Sequence, residues 1–369
     1  MKILYFAPLD WGYMHQRPQH LANRLAEHNN FFYIQPLGLR NIKLSDWKMA
    51  LKRVSGWFKG RIPRESLIIK SLFFIPLINP SIHQINLYLL RRQIKPLIDR
   101  KTIIWVTYPS KLIFELVREF KFKALIYEIM DDCAKIFPHM EKELKEIEAQ
   151  FINEADLIIT TSAVLAQNVR RINKNTEVIL AGNGVEYDFF SSFTNQAERP
   201  AELKGMNKIV GYIGTIADWI DIETICFLAD SRKDIDFVFI GPSTIDHPIA
   251  RKNIHFLGMK DYPLMPSYCS SFDVCLIPFK AGELADSINP VKLYEYFSMG
   301  KPVIAYKMKE LMPYKDMLYM ANGKQDFLKL TEMALLENDD SLKLRRMQIA
   351  KLNDWSVKAA ILQEALLRL

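Results

Sequence analysis

Cysteine is scarce and unpatterned in this chain. Cys133, Cys226, Cys269 and Cys275 are the four cysteines in 369 residues. No Cys-x-x-Cys spacing occurs, which excludes a disulfide framework and argues against a zinc site. A reduced, cytosolic setting is the expectation. No uncharged apolar run approaches the length that spans a bilayer. The apolar part of residues 1–10 is too short for a signal peptide and reads as a first buried strand. Gly-x-Gly-x-x-Gly is absent. Gly211-Tyr212-Ile213-Gly214-Thr215 ends a strand, but its spacing is wrong for the dinucleotide fingerprint. There is also no Walker A sequence, so a nicotinamide enzyme and a P-loop ATPase are both disfavoured. Internal repeats and low-complexity tracts are lacking too.

What is present describes a globular protein with large cores. Hydrophobic residues make up 49% and aromatics 12%, and the length suits two domains. Charge is uneven. Residues 40–123 hold 18 Lys/Arg against 5 Asp/Glu, a local net of +13 in a chain whose total is +7. Trp47, Trp57, Phe58 and the apolar run 67–78 lie inside this basic region. That run contains Lys70 and suits a core or interfacial segment. A basic surface with interleaved aromatics fits anionic lipid headgroups. It would fit nucleic acid equally, but no nucleic-acid motif accompanies it. An ordinary solvated basic face is the bland alternative.

Apolar strands alternate with helical patterns along the whole chain, predicting βαβ units around mostly parallel sheets. Expected strands in the first half are 2–7, 31–35, 102–107, 124–129, 157–161 and 177–180. Those in the second half are 208–213, 236–240, 253–257, 273–277 and 302–305. Residues 141–153 read as a charged amphipathic helix, and Ser162 as the N-cap of a helix running to Ile172. Residues 191–207, polar and unpatterned, read as a linker. Residues 354–369 read as a final helix.

The most telling stretch is 288–305. It predicts a helix with both ends marked, followed by a buried strand. Asn289 suits the N-cap, Pro290 the first helical position and Gly300 the left-handed position past the end. Lys292, Glu295 and Tyr296 are spaced to share one face near the helix start. A helix N-terminus offers unpaired N–H groups and a positive dipole end to an anion. The lysine adds charge for a phosphate, and the carboxylate can accept hydrogen bonds from sugar hydroxyls.

Lys292-Leu293-Tyr294-Glu295 through Pro302-Val303-Ile304-Ala305 resembles the donor-binding helix of glycosyltransferases of the two-Rossmann-domain (GT-B) architecture. The run Arg17-Pro18-Gln19-His20-Leu21 resembles bacterial polysaccharide-assembly members. Gly182-Asn183-Gly184 resembles the junction where the two domains of that fold meet. Many retaining members carry a glutamate eight positions before the one matched by Glu295. This chain has Ser287 there, which puts retention in doubt. The resemblance implies an α/β fold of two Rossmann-like domains facing a cleft. Residues 1–185 would bind the acceptor and 186–353 the nucleotide-sugar. Residues 354–369 would cross back to the first domain.

Ligands of open α/β sheets bind beyond the carboxyl ends of the strands. By that rule, Asp10, Trp11, Arg17, Gln19 and His20, after the first strand, are candidates for the acceptor or the leaving phosphates. Asp131 and Asp132 follow the strand 124–129. Adjacent, partly buried carboxylates raise each other's pKa, which suits a base taking a proton from an acceptor hydroxyl. Asp131 is the expected base of an inverting transfer and Asp132 its structural partner, with helix capping as the alternative for either. Thr107-Tyr108-Pro109-Ser110 reads as a simple helix start. On the second domain, Gly214 and Thr215 permit close backbone approach to a donor, while Asp218 and Asp221 stand where family members often hold a phosphate-binding base. Phosphate binding must then lean on backbone N–H groups and Lys292. Asp286 is left open, and Glu283 reads as a solubilising residue.

The expected activity is transfer of a sugar, with UDP preferred over GDP as its carrier, to a saccharide or lipid-linked saccharide at the inner face of the plasma membrane. No essential metal or cofactor is implied beyond the nucleotide-sugar itself. Three rivals share these features: retaining transfer, a sugar-nucleotide epimerase, and a non-catalytic nucleotide-sugar-binding subunit.

Overall fold

A computed structural model describes residues 1–37, 65–75, 79–194, 199–245 and 251–369. Trp47, Trp57 and Phe58 lie outside the described residues, as do positions 76–78 of the apolar run and 195–198 of the expected linker. The described chain divides into two units, Met1–Gly182 with Ala359–Leu369, and Asn183–Lys358.

The strands of the first unit are β1 (Lys2–Phe6), β2 (Asn30–Ile34), β3 (Leu67–Lys70), β4 (Thr102–Val106), β5 (Ala124–Ile129), β6 (Leu157–Thr160) and β7 (Val178–Leu180). Most are rich in Ile, Val and aromatics, and the central ones are buried on both faces, as parallel strands covered by helices must be. Their order is β3-β2-β1-β4-β5-β6-β7, with every pair parallel. Register sets Tyr5 of β1 between Tyr33 of β2 and Trp105 of β4.

The second unit carries β8 (Lys208–Ile213), β9 (Ile235–Ile240), β10 (Ile254–Phe256), β11 (Val274–Ile277), β12 (Val303–Tyr306) and β13 (Tyr319–Ala321). The order is β10-β9-β8-β11-β12-β13, again all parallel. In each sheet the strand order reverses once, between β1 and β4 and between β8 and β11. Such switch points open a crevice at the carboxyl edge. They therefore select the loops after β1, β4, β8 and β11 as places for ligands.

Eleven strands lie where the residue pattern placed them, to within about two residues. β3 and β13 were not anticipated. β3 is the front of the 67–78 run, paired on β2 at the sheet edge, and β13 is only three residues long. Helix starts follow their local signals. The Ser110 hydroxyl accepts from Ile113 N–H ahead of the helix Lys111–Val117, and that of Ser162 from Leu165 N–H ahead of Ala163–Ile172. The expected linker is not wholly irregular. It takes in the end of the helix Tyr187–Ser191 and a turn at Ala201–Leu203, where Leu203 is fully buried. The final helix spans Trp355–Arg368. Among the described residues no helix is long and apolar enough to cross a membrane.

Candidate active site

The helix Val291–Ser298 follows β11 and opens at the carboxyl edge of the second sheet. Its far end closes as expected. Gly300 has φ +68°, its N–H bonds to Phe297 O at 2.9 Å, and Lys301 N–H bonds to Tyr296 O at 3.1 Å. These two bonds make a Schellman motif and satisfy the last carbonyls.

Its near end differs from the sequence expectation. Pro290, not Asn289, holds the cap position, and among the described residues no side chain caps the helix. The amide of Asn289 is turned elsewhere. Its Oδ1 accepts from Asn183 N–H at 2.9 Å, and its Nδ2 donates to Tyr294 Oη at 3.3 Å and Glu310 Oε2 at 3.2 Å. Asn183 Nδ2 also donates to Asn289 O at 2.6 Å. Asn289 therefore fixes the approach to the helix and, among the described residues, its first N–H groups have no side-chain acceptor. That is the condition in which a helix terminus can hold an anion.

Lys292 and Glu295 meet on one face, with Lys292 Nζ donating to Glu295 Oε2 at 2.8 Å. Glu295 is buried while Lys292 keeps part of its side chain in solvent. Tyr296 does not join them. It is fully buried, and its hydroxyl accepts from Ile213 N–H at 2.9 Å. Tyr296 thus ties the helix to the end of β8, one residue before Gly214.

Gly214 and Gly241 follow β8 and β9 with φ of +153° and +145°. A Cβ on Gly241 would lie 2.0 Å from Gly214 O, so the two loops stack backbone on backbone. Gly241→Ala should destabilise the second unit by about 1–3 kcal/mol for the backbone conformation alone. Urea unfolding of that unit checks this, and an unchanged midpoint would show that the loops move apart freely. Thr215 accepts Tyr212 Oη at its carbonyl, 3.0 Å away.

Asp221 is a helix cap, taking hydrogen bonds from Thr224 N–H at 3.1 Å, Thr224 Oγ1 at 2.7 Å and Tyr306 Oη at 2.8 Å. Burial pushes its carboxyl up. Those hydrogen bonds and the charge of Lys280 outweigh burial and leave it below the usual range. Asp218 is exposed. Asp286 anchors the following segment through Lys309 N–H at 3.1 Å, and Glu283 is exposed. Lys280 escaped the sequence reading. It is exposed just past β11, and its N–H bonds to Trp219 O at 2.7 Å. The available signal was a lysine shortly after a buried strand, beyond Pro278 and Phe279.

In the first unit, the loop after β1 is more internal than its polar sequence suggests. Arg17 is 3% exposed; its Nε donates to Glu128 Oε1 at 2.7 Å and its Nη1 to Gly182 O at 2.9 Å. Glu128, fully buried on β5, also accepts from Trp105 Nε1 at 2.9 Å. Gln19 is fully buried and closes a reciprocal cap with Gln16, while its Nε2 donates to Met14 O at 3.0 Å. His20 is buried and packs edge-on against His15. All three side chains are buried. Asp10 and Trp11 remain partly exposed. Trp11 N–H donates to Gln35 Oε1 at 3.1 Å and its ring packs edge-on against Tyr33.

Asp132 caps the helix Cys133–Ile136 through Lys135 N–H at 3.2 Å and pairs with Lys135 Nζ at 3.3 Å. Asp131, just past β5, is not the cap and is exposed. Protein mass around it raises its carboxyl above the ordinary range; Arg17 opposes this and Asp132 adds to it. Its contact with water limits that desolvation. Behind the loop lies Glu148, which the sequence reading also missed. Burial, helped by Asp132, pushes its carboxyl up to about 7, although Tyr127 Oη donates to it at 3.4 Å. Burial also pushes the Cys133 thiol up to about 12, so it is no nucleophile near neutral pH.

No family model matches the chain. A Bacillus subtilis (strain 168) protein with the provisional name of teichuronic acid biosynthesis glycosyltransferase TuaH is 27% identical over 298 residues, 72% of this chain and 74% of that protein. Among solved structures, sucrose-phosphate synthase from Thermosynechococcus elongatus superposes with a TM-score of 0.70 at 14% identity, covering 95% of this chain and 92% of that one. Anabaena HepE, solved with UDP and glucose, gives 0.69 at 14% identity over the full length of both chains. The Escherichia coli trehalose-6-phosphate enzyme, bound to UDP-2-fluoro glucose, gives 0.70 at 10% identity over 99% of both. The two parallel sheets and their switch points are those of the GT-B fold, and in sequence the chain is similar to a glycosyltransferase.

Proposed function

We propose that this chain moves a sugar from a UDP-sugar to a saccharide or lipid-linked saccharide in cell-surface polysaccharide synthesis, with inversion. The observation that carries the reading is the uncapped mouth of the helix Val291–Ser298 beside the Lys292–Glu295 pair. Its N–H groups and dipole take the diphosphate as negative charge grows on the leaving group. Lys292 swings from Glu295 to the phosphates, and Lys280 supplies a second cation from the loop after β11. Glu295, relieved of its lysine, accepts from the ribose hydroxyls. Gly214 and Thr215 let backbone approach the donor closely. Because helix and lysines neutralise the leaving group, no divalent ion is required.

Asp131 takes the proton of the acceptor hydroxyl as it attacks the anomeric carbon. Asp10 and Trp11 contribute to the acceptor side. The UDP and glucose of the HepE structure and the teichuronic acid biosynthesis in the name of TuaH support the choice of donor and pathway class. The acceptor reading, together with the basic residues 40–123, supports a location in the cytoplasm at the inner face of the membrane.

The test is UDP release from a panel of sugar nucleotides, with and without membrane extract. Acceptor-dependent release that persists in EDTA is expected. Lys292→Ala should raise the donor KM by on the order of tenfold, the loss of one charge-assisted contact. Release without any acceptor, or conversion of the UDP-sugar to its epimer, would overturn the transfer reading.

A further inference from the structure

We propose that one exposed face of the helix Pro80–Ile94 docks the first unit on an anionic lipid surface. This names the surface for the lipid-linked acceptor of the transfer reading and rests on that reading for its purpose, though docking itself needs no sugar chemistry.

Ser81, Ile85, Tyr88, Arg92 and Lys95 follow one another at spacings of four, three, four and three, which lines them along a single helix face. All five are exposed, Ile85 at 46% and Tyr88 at 52%. The stripe is not a misassigned core, because Asn86, Leu87, Leu90 and Ile94 bury a different face of the same helix. Arg92 Nη1 donates to Tyr88 Oη at 3.1 Å, and its guanidinium lies 5.7 Å from that ring. A cation and an amphipathic ring are thereby held together at the surface.

The neighbouring segment is pinned alongside. Gln93 accepts from Phe73 N–H at 2.7 Å and donates to Phe73 O at 2.8 Å. Asn86 makes the same pair of bonds to Ile75, at 2.7 and 2.8 Å. Phe73, 42% exposed, is thus presented from a fixed backbone.

Charge selects the occupant. Residues 80–98 contain Arg91, Arg92 and Lys95 and no Asp or Glu. Among the described residues, Glu115 and Glu119 reach this helix and are engaged by His83 and Arg91, off the stripe. Exposed aliphatic and aromatic groups among cations match the boundary between acyl chains and anionic headgroups, where Tyr is also favoured. A single-stranded nucleic acid would use stacked rings and cations and would gain nothing from Ile85.

The test is co-sedimentation of the full chain with phosphatidylcholine vesicles, with and without phosphatidylglycerol. Binding that requires phosphatidylglycerol and weakens with salt is expected. Ile85→Ser with Tyr88→Ser, and separately Arg92→Glu with Lys95→Glu, should each weaken it by on the order of tenfold or more. UDP release with a water-soluble acceptor should stay at the parent level in both variants, so a failed docking idea and a failed transfer reading give different results. Vesicle binding that is unchanged in both variants overturns the proposal. So does self-association of the parent that these variants abolish while vesicle binding persists, since a second copy would then be the occupant.

Discussion

Asp131→Asn should lower kcat by about 10²–10⁴, the range a general base contributes, while UDP binding stays at the parent level. The side chain is exposed and does not cap the helix that follows, so the substitution removes chemistry and leaves the packing in place. The pH dependence has a definite sign. A base works as its carboxylate, and the Asp131 carboxyl is raised above the ordinary range. Activity therefore falls as pH drops, along a limb displaced above the ordinary aspartate range. Glu148 titrates close by, at about 7, so Glu148→Gln is the control, and the limb due to Asp131 should survive it. NMR of the product should show an inverted anomeric centre. Retained configuration, together with a near-parental rate for Asp131→Asn, would move the chain to the retaining mechanism.

Glu128→Ala should destabilise the first unit by about 3–5 kcal/mol, the cost of stranding one charge of a buried pair. Arg17 and Glu128 are almost wholly removed from water and meet at 2.7 Å. The substitution removes the buried carboxylate to which Arg17 Nε and Trp105 Nε1 both donate. Removing both charges together, with Arg17→Met and Glu128→Leu, should restore much of the loss, because the apolar pair has no desolvation penalty. Urea unfolding followed by amide hydrogen exchange in the strands of the first unit reads both. If the single variant unfolds with the parent, the pair is solvated and the internal placement of the loop after β1 is wrong.

Local signals were legible wherever a few neighbouring residues decide the outcome. Ser110 and Ser162 sit three residues before the N–H groups they accept from, so their caps are visible in the sequence. Gly300 closes its helix with bonds spanning three and five residues. Asn289 shows where that logic fails. As a residue type it suits an N-cap, but Asn183, 106 positions away, takes its side chain. Tyr296 has helical spacing to join Lys292, yet its hydroxyl belongs to Ile213, 83 positions away. Asp132 against Asp131 is an intermediate case, since the sequence offered two caps and the backbone used one.

By itself, then, the amino-acid order determined the alternation of buried strands and amphipathic helices, the parallel sheets and the position of the helix that begins after β11, because those follow from hydrogen bonds and periodicities within a few residues. Tertiary structure alone decided that the mouth of this helix is left uncapped, that Arg17 turns inward to Glu128, and that Glu148 lies behind the acidic loop. Each of those depends on strand order bringing together side chains distant in the chain, where burial and pairing outweigh any local preference.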